Sequence, residues 1–378
     1  MDRRFSLKIN HYDVLSTLDV SALVALAFYC PSWSRGIVMR ELIKLIYFVT
    51  FSFIFFINSF ARAEDFYKGK SINLLVGFSP GGGYDLTSRL LGRHIGKHIP
   101  GNPSVIVQNM TGAGGFTAVM YLYNNATRDG TVIGMPPRNF PIAPFANDQL
   151  RYNGKGFQAI GSTTSEVHVC AIWHAAGIKK ISDLMTREIT AGITSYYDDI
   201  GSLTLVVKKI TGAKFKIVNG YPGGLDISIA MERGEVEAEC GWSWGAIKTR
   251  AKNWLDQNKL DIVLQIGSEK SSELADVPSV IEFATSDLDR KALELLLSPG
   301  TFAWPFVTPP SVPLDRVQIL RKAFDETMKD AAFLADARQS NLEINPMSGE
   351  AMQAKINYIL DFEPSVIARA KELVKPPD

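Results

Sequence analysis

Glycine-rich turns follow two successive apolar segments of this sequence, and their residue types suit the binding of an anion. The apolar run 73–78 leads into Ser79-Pro-Gly-Gly-Gly-Tyr-Asp85, and a helical pattern follows. A second apolar run, 104–108, leads towards Gly112-Ala-Gly-Gly115. Each turn presents small residues where a helix begins, so free backbone N–H groups and the positive end of the helix dipole can meet a negative charge.

Isolated glycine turns are common in α/β proteins, because glycine permits positive φ angles. A third turn of the same kind, Gly220-Tyr-Pro-Gly-Gly-Leu-Asp226, lies much later in the chain. Two adjacent turns at the carboxyl ends of strands, with a third in another domain, favour a ligand held in a cleft. The nucleotide fingerprints are absent: Leu86 stands where a third glycine is needed, and no Gly-Lys-Ser/Thr motif follows. We expect no cofactor.

A possible catalytic motif is Gly241-Trp-Ser-Trp-Gly245, which matches the G-x-S-x-G turn of serine hydrolases. All histidines precede Ser243, whereas that hydrolase fold places its base after the serine. These histidines are His11, His94, His98, His168 and His174. A serine without a positioned base is a weak nucleophile. An exported hydrolase using Ser243 is therefore the alternative interpretation, and we expect that the protein is not an enzyme.

Two further polar features have simpler interpretations. His94 and His98 are spaced as metal ligands on a helix, but no carboxylate is interleaved, and the run 93–98 is typical of a solvated basic face. We expect no metal site. Asp85 is suited to the first turn of a helix, where a carboxylate at a pocket rim can also touch a ligand.

The composition favours a large globular chain. It has 378 residues with 46% hydrophobic content, which is sufficient for two domains. The 40 basic and 39 acidic residues are nearly balanced, so there is no electrostatic indication of nucleic-acid binding. An anionic ligand would be held by local dipoles and hydrogen bonds rather than by a positive field.

The amino-terminal region has the layout of a secretory signal. A short basic start at Met39 precedes the apolar run 45–60, and Ala61-Arg-Ala63 follows. This pattern predicts a signal peptide at 39–63 that is cleaved before Glu64, and hence a periplasmic protein. A membrane-spanning helix is the alternative, but the apolar run is shorter than the about 20 residues that spanning requires. Because Met39 begins a complete signal, residues 1–38 are interpreted as a spurious upstream extension.

Two cysteines, Cys170 and Cys240, lie in the predicted mature chain. Both occur in apolar, strand-like segments. In an exported protein they could form one disulfide, yet buried free thiols are equally ordinary. The sequence leaves both interpretations open.

Strands and helices alternate along the mature chain in the way that builds parallel sheets. The pattern breaks at Pro136-Pro137 and stays irregular to Gly156. This stretch is the first candidate crossing between domains.

Several motifs resemble those of the Bug (TctC-like) family. They are Pro80-Gly-Gly-Gly-Tyr-Asp85, Gln108-Asn-Met-Thr-Gly-Ala-Gly-Gly115, Gly220-Tyr-Pro-Gly-Gly-Leu-Asp226, Asp276-Val-Pro278 and Pro309-Pro-Ser-Val-Pro313. Members of this family are periplasmic substrate-binding receptors of tripartite tricarboxylate transporters. The resemblance covers nearly the whole predicted mature chain.

The resemblance implies a type II periplasmic-binding-protein fold, in which two α/β domains joined by two hinge crossings close on a ligand. Domain one would comprise 64–157 and 302–378, and domain two 158–301. The protein would be a monomer that captures a small organic carboxylate and delivers it to membrane permease subunits. A ligand sensor for a membrane signalling protein is a further alternative.

The family's binding positions can be transferred to this sequence. From domain one they are Phe78, Ser79, Gly81, Gly82, Gly83, Asp85, Ala113, Gly114 and Gly115. From domain two they are Thr194, Ser195, Tyr196, Tyr221, Gly223 and Asp226.

One segment departs from the family pattern. Many members have a glycine-rich serine loop where this chain has Ser195-Tyr-Tyr-Asp-Asp-Ile-Gly201. The two tyrosines would narrow the pocket, and the two aspartates would repel a second carboxylate unless a cation or a ligand amine met them. Citrate is therefore disfavoured as the ligand. The simpler interpretation is that Asp198 or Asp199 caps the following helix.

Overall fold

The computed structural model describes residues 66–377. The predicted extension at 1–38, the predicted signal peptide at 39–63 and the cleavage site before Glu64 lie outside the described residues. Within 66–377, no helix is both long enough and apolar enough to cross a membrane.

Eleven strands among these residues form two sheets. The strands are β1 (Ser71–Val76), β2 (Ser104–Asn109), β3 (Val132–Met135), β4 (Gln158–Ser162), β5 (His168–Trp173), β6 (Ile189–Ile193), β7 (Phe215–Asn219), β8 (Ala238–Ser243), β9 (Leu260–Ile266), β10 (Pro305–Thr308) and β11 (Met347–Ser348). The first sheet has the order β11-β4-β10-β3-β1-β2, and the second has the order β7-β6-β8-β5-β9. We call the parts built on them the first and second lobes.

Helices cover both sheets. The α-helices are α1 (Gly83–Ile95), α2 (Phe116–Asn124), α3 (Ala143–Ala146), α4 (Asp183–Thr186), α5 (Asp199–Thr211), α6 (Gly224–Glu232), α7 (Trp244–Arg250), α8 (Lys252–Asp256), α9 (Asp287–Leu297), α10 (Leu314–Thr327), α11 (Ala331–Gln339), α12 (Gly349–Ile359) and α13 (Pro364–Val374). Short 3₁₀ turns lie at Gly96–His98, Ala113–Gly115, Gly154–Gly156, His174–Ala176, Ser272–Leu274, Val280–Phe283 and Ser298–Phe302.

The burial of each strand follows its place in the sheet. Every residue of β3 and β10 is buried, because these central strands are covered on both faces. The edge strand β2 instead alternates between exposed and half-buried residues, and Ile106 points into solvent. Helix α1 packs Leu90, Leu91 and Ile95 into the core of the first lobe. The apolar runs of the sequence therefore become the buried strands.

Both sheets are mixed rather than wholly parallel. In the first, β1 pairs parallel with β2 and β3, but β10 pairs antiparallel with β3 and β4. In the second, β6 pairs parallel with β7 and β8, but β5 pairs antiparallel with β8 and β9. The expectation of parallel sheets was therefore incomplete. It missed the strands that follow each passage between the lobes.

The chain passes between the two sheets at 163–167 and returns through 298–304. These passages bind each other: the Glu166 N–H donates to the Gly300 carbonyl at 2.9 Å, and the Ala303 N–H donates to the Thr164 carbonyl at 3.0 Å. The first passage lies beyond the stretch 136–156 in which a crossing was expected. The reason is that β4, which follows that stretch, pairs with β10 in the first sheet.

The carboxyl-terminal helix belongs spatially with the second lobe. Helix α13 packs against α9 and α5, and Arg369 donates to Asp289 at 2.7 Å. Its buried residues join the core cluster that contains Leu293 and Val206. The predicted domain limits of 64–157 with 302–378, and 158–301, stay a prediction. Strand pairing places β4 in the first lobe, and helix packing places α13 on the second.

Cys170 and Cys240 lie opposite each other on the antiparallel pair β5 and β8. A disulfide joins them, with the two Cα atoms 3.9 Å apart. Of the two interpretations that the sequence left open, the structure has the disulfide. It closes a loop of 70 residues within the second lobe.

Candidate ligand-binding site

Two helices begin at glycines, and both point their amino termini into one cavity between the lobes. Gly82 precedes α1 and Gly223 precedes α6, and among the described residues neither helix has a side chain capping its first N–H groups. By contrast, Asp198 caps α5 and Ser243 caps α7. The uncapped N–H groups of α1 and α6 are therefore free to bind an anion.

The cavity between these helix ends is small and rich in charge, with a volume of ≈ 40 Å³. Backbone around the two helix starts contributes Ser79, Gly82, Gly83, Gly223 and Gly224. The charged residues in the wall are Arg138, Asp199, Glu239 and Arg250. The rings in the wall are Phe78, Tyr84, Trp242 and Trp304.

Asp85 holds the first glycine turn in shape. Its carboxylate accepts hydrogen bonds from the Gly81 N–H at 2.8 Å, the Asn109 amide at 2.8 Å and the Arg89 guanidinium at 3.0 Å. Burial alone would raise the pKa of Asp85, but these donors outweigh burial and lower it. Asp85 is thus ionised and fully engaged within the first lobe.

The glycine turns also form the contact between the lobes. The Ser79 hydroxyl donates to Asp226 Oδ2 at 2.8 Å. Gly114 has a φ of 64°, and a Cβ built there would lie 2.6 Å from the Ser195 Cβ and 2.9 Å from the Asp198 Cβ. Only glycine fits this position, because the second lobe closes directly onto its Cα.

Arg138 connects the two lobes at the floor of the cavity. Its Nε lies 2.8 Å from Asp199 Oδ2, and its Nη1 lies 3.2 Å from Glu166 Oε2. Tyr84 completes the group, since its hydroxyl donates to Asp199 Oδ2 at 3.2 Å and accepts from the Arg138 N–H at 3.1 Å. The Trp304 ring lies 4.8 Å from the guanidinium carbon and donates its N–H to Glu166. The Arg138 guanidinium is buried, and it forms ion pairs with two carboxylates.

This group concerns the expectation that Asp198 and Asp199, in the segment 195–201, would repel a second carboxylate unless a cation met them. Asp199 Oδ2 is met by a cation of the protein itself, whereas Asp199 Oδ1 is buried without a hydrogen-bond partner within 66–377. Asp198 has the simpler role, because its side chain accepts from the Gly201 N–H at 2.9 Å and so caps α5. Burial raises the pKa of Asp198 well above its usual value, and the neighbouring Asp199 raises it further.

On the second-lobe side, several polar atoms of Glu239 and Arg250 lack hydrogen-bond partners among the described residues, although the Arg250 guanidinium carbon lies 5.9 Å from the Trp242 ring. Both carboxylate oxygens of Glu239 are buried and have no hydrogen-bond partner within 66–377. The same holds for Nε and Nη1 of Arg250 and for the Trp242 indole nitrogen. Burial raises the pKa of Glu239 to about 8, although Arg250 acts to lower it. Buried polar groups are normally satisfied, so these atoms indicate where a polar ligand would bind.

The predicted binding residues have three locations in the structure. Those in the cavity wall are Phe78, Ser79, Gly82, Gly83 and Gly223. Those at the contact between the lobes are Gly81, Gly114, Ser195 and Asp226. Those outside the described wall are Asp85, Ala113, Gly115, Thr194, Tyr196 and Tyr221. A ligand-binding role for each of them stays a prediction.

Of the charged residues in the wall, the sequence analysis singled out Asp199 but not Arg138, Glu239 or Arg250. Arg138 follows the end of β3, at the edge of the first sheet where ligands bind in α/β folds. Glu239 is an acidic residue inside the otherwise apolar strand β8. The positions of Arg138 and Glu239 in the sequence could therefore have indicated that they line the site. Nothing in the local sequence around Arg250 indicates such a role.

Ser243 is not arranged as a nucleophile. Its Oγ accepts a hydrogen bond from the Ala246 N–H at 3.0 Å, as the N-cap of α7. His168 lies opposite it on β5, but no hydrogen bond joins the two side chains in the described part of the chain. Burial lowers the pKa of His168 well below its usual value. The observed role of Ser243 is helix capping.

His94 of α1 and His98 of the following 3₁₀ turn pair with acidic residues of α11 and its N-cap. His94 lies 2.9 Å from Asp336, and His98 lies 3.0 Å from Asp330. Arg93 and Lys97 pair with the same two aspartates. The basic run therefore forms ion pairs with α11 and its cap, while Arg93 and Lys97 remain exposed to solvent. Residues 66–377 contain no cluster of side chains suited to hold a metal ion.

Comparison with known proteins identifies the class to which this fold belongs. No family model and no curated protein matches the sequence. Solved structures do match: the periplasmic binding protein BugD aligns with a TM-score of 0.65 at 18% identity, over 81% of this chain and 98% of BugD. MatC from Rhodopseudomonas palustris, solved with malate, gives 0.63 at 16% identity, over 81% and 99%. Another R. palustris protein, solved with adipate, gives 0.60 at 18%, over 81% and 96%.

The chain thus has the periplasmic-binding-protein fold, with two mixed α/β lobes. A TctC solute-binding protein from Polaromonas has the same fold, with a TM-score of 0.54 at 17% identity, over 82% of this chain and 99% of that one. BugD and the Polaromonas protein are described as binding proteins, and the two R. palustris structures hold malate and adipate. They confirm, at the level of the fold, the resemblance to the Bug (TctC-like) family and the predicted fold class.

Proposed function

We propose that this protein is an extracytoplasmic solute-binding receptor that captures a small organic carboxylate for a tripartite tricarboxylate transporter. The observation that carries the proposal is the convergence of two uncapped helix starts, at Gly82 and Gly223, on one cavity between the lobes. Backbone N–H groups at helix amino termini bind carboxylates without a surrounding positive field. The malate and adipate in two structural neighbours support this ligand class.

Capture requires the lobes to separate and close. The cavity of ≈ 40 Å³ has room for about three water molecules, so a dicarboxylate enters only when the lobes part. The passages at 163–167 and 298–304 are the two connections between the sheets, and we assign the hinge to them. Closure then brings the glycine turns of both lobes around the ligand.

The predicted binding residues divide into three roles under this proposal. Those in the wall, including Ser79, Gly83 and Gly223, contact the carboxylate through backbone or hydroxyl donors. Those at the contact between the lobes, including Gly114 and Ser195, complete the closed form. The remaining predicted residues shape the turns, as Asp85 does through its hydrogen bond from Gly81.

The cellular part of the proposal concerns export and delivery. The pattern at 39–63 would send a monomer to the periplasm with Glu64 as its first residue, and permease subunits in the membrane would receive the ligand. Intact-mass analysis of protein isolated from the periplasm tests the cleavage site. Uptake of the bound carboxylate with and without the permease separates transport from a sensing role.

A thermal-shift screen of carboxylates tests the binding function itself. A ligand that binds only the native state raises the melting temperature, by mass action. We expect shifts with small dicarboxylates such as malate and adipate, and smaller or no shifts with citrate. If no carboxylate raises the melting temperature and an ester is hydrolysed in a Ser243-dependent way, the receptor proposal is wrong.

A further inference from the structure

The last two helices of the chain lie on different lobes. Helix α12 packs against β4 of the first sheet, and its Gln353 side chain accepts a hydrogen bond from the Ala159 N–H of β4 at 2.9 Å. Helix α13 packs against α9 and α5 of the second lobe. The chain therefore crosses between the lobes a third time, in the short segment 360–363 that joins these two helices.

Apolar packing attaches α13 to the second lobe. Its buried side chains lie in the same hydrophobic cluster as Leu293 of α9, and they are Val366, Ala370, Leu373 and Val374. Removing α13 from that surface would expose these side chains to water, at a cost in free energy that grows with the apolar area exposed. The contact of α13 with α3 of the first lobe is less extensive.

Polar contacts attach α13 to the second lobe as well. Arg369 of α13 donates to the Asp289 carboxylate of α9 at 2.7 Å, and that side chain is only 9% exposed. The Lys209 ammonium of α5 donates to the Glu372 and Lys375 carbonyls at 2.5 and 2.6 Å. These carbonyls lie at the carboxyl end of α13, where helix carbonyls lack partners within the helix. Helix α13 therefore moves with the second lobe.

The first-lobe end of the connection is also held. Asp361 forms an ion pair with Lys155 at 2.5 Å, and Lys155 belongs to the turn Gly154–Gly156, against which α12 packs. Only two residues then separate Asp361 from Pro364, the first residue of α13. The three peptide units from Asp361 to Pro364 span at most about 11 Å when fully extended. The connection between the two helices thus has little spare length.

We propose that the segment 360–363 is a tether that limits how far the two lobes separate. This inference rests on the opening and closing of the lobes in the proposed function, but it does not depend on which ligand binds. When the lobes part at the passages 163–167 and 298–304, α12 stays with the first lobe and α13 with the second. The two helices separate only until the tether is extended, because any wider opening would pull α13 away from α9.

Lengthening the tether tests this inference without altering either helix. Inserting Gly-Ser-Gly-Ser between Phe362 and Glu363 increases the greatest span from Asp361 to Pro364 from about 11 to about 25 Å. We expect the ligand-free mature protein with this insertion to open more widely. Small-angle X-ray scattering measures the wider opening as a larger radius of gyration than that of the unaltered protein.

The matched control is the same insertion between Gly234 and Glu235, which lie in an exposed turn within the second lobe. It adds the same four residues but leaves the tether unchanged, so its radius of gyration should match that of the unaltered protein. Equal radii for the two insertion variants would overturn the inference.

Hydrogen exchange of the unaltered, ligand-free protein supplies a second measurement that needs no variant. We expect the amides of α13 to be protected as strongly as those of α9, because the two helices move together. Rapid exchange of α13 beside a protected α9 would show that α13 leaves the second lobe, and the tether would then be wrong. Neither measurement uses a ligand, so a negative result here leaves the receptor function standing. That function fails separately, if the thermal-shift screen finds no carboxylate.

Discussion

The Arg138 guanidinium lies 2.8 Å from the Asp199 carboxylate and connects the first lobe to the second at the floor of the cavity. Arg138 follows β3 of the first sheet, and Asp199 begins α5 of the second lobe. The side chains of Arg138 and Asp199 are only 3% and 4% exposed. The ion pair is therefore shielded from solvent, and removing either partner leaves the other charge buried.

Replacing Arg138 should destabilise the protein strongly. Arg138→Ala leaves Asp199 and Glu166 buried without their cation, and the expected loss is about 3 to 5 kcal/mol in the free energy of unfolding. Urea unfolding of the mature protein measures it. Arg290→Ala is the control, because Arg290 forms an exposed pair with Asp287 and should cost less than about 1 kcal/mol. Equal losses for the two variants would show that the buried group is not important for stability.

Replacing Glu239 should change the pH dependence of stability. Burial raises the pKa of Glu239 from 4.5 to about 8, against the opposing effect of Arg250 on α7 and with a further increase from Asp199 on α5. Between these pH values the native state holds the proton more tightly than the unfolded state. This group therefore lowers the free energy of unfolding as the pH rises from about 4.5 to 8.

Glu239→Gln removes that contribution, so the variant should gain stability relative to the unaltered protein as the pH increases. Above pH 8 the gain is on the order of 5 kcal/mol. Denaturant unfolding at several pH values measures the difference in stability between Glu239→Gln and the unaltered protein. Glu232→Gln, at an exposed position on α6, is the control. A gain that does not vary between pH 5 and 8 contradicts the assigned ionisation.

Gly114 should be needed for closure of the lobes rather than for stability alone. In Gly114→Ala the new methyl group meets Ser195 and Asp198 of the second lobe, so the affinity for the carboxylate found in the thermal-shift screen should fall by tenfold or more, about 1.4 kcal/mol. Gly212→Ala is a close control, because Gly212 also has a positive φ but its Cβ would enter open space. It should lower stability by about 1 kcal/mol and leave the affinity unchanged. Similar affinities for the two variants would exclude this contact from the closed form.

The disulfide between Cys170 and Cys240 should stabilise the second lobe. A cross-link closing a 70-residue loop contributes about 4 kcal/mol in the chain-entropy model. The unfolded, non-reduced mature protein should show no free thiol with a thiol reagent, and reduction should lower the midpoint of urea unfolding. The double variant Cys170→Ala/Cys240→Ala should show the lower midpoint without any reductant. Two free thiols in the non-reduced protein would contradict the bond.

The class of fold was predictable from the sequence because its signals are local. Apolar runs, glycine turns and helix starts are read within about ten residues of each other. The turn before Tyr84 and the turn at Gly223 show this, since both were located from glycine-rich motifs and both open helices in the structure. The order of the strands within each sheet was harder to predict from the sequence. The antiparallel partners of β5 and β10 lie far away in the sequence, so the passage between lobes was placed too early, before β4.

The sequence by itself determined that glycine turns would offer backbone N–H groups at the ends of strands. Only the tertiary structure decided which turns share a cavity and which charges surround them. Arg138, Asp199, Glu239 and Arg250 belong to different elements of two lobes, and no local pattern relates them. Whether a buried charge is paired depends on distances across the fold. For that reason the structure alone distinguishes Arg138, which pairs with two carboxylates, from Glu239, whose carboxylate oxygens have no hydrogen-bond partner within 66–377.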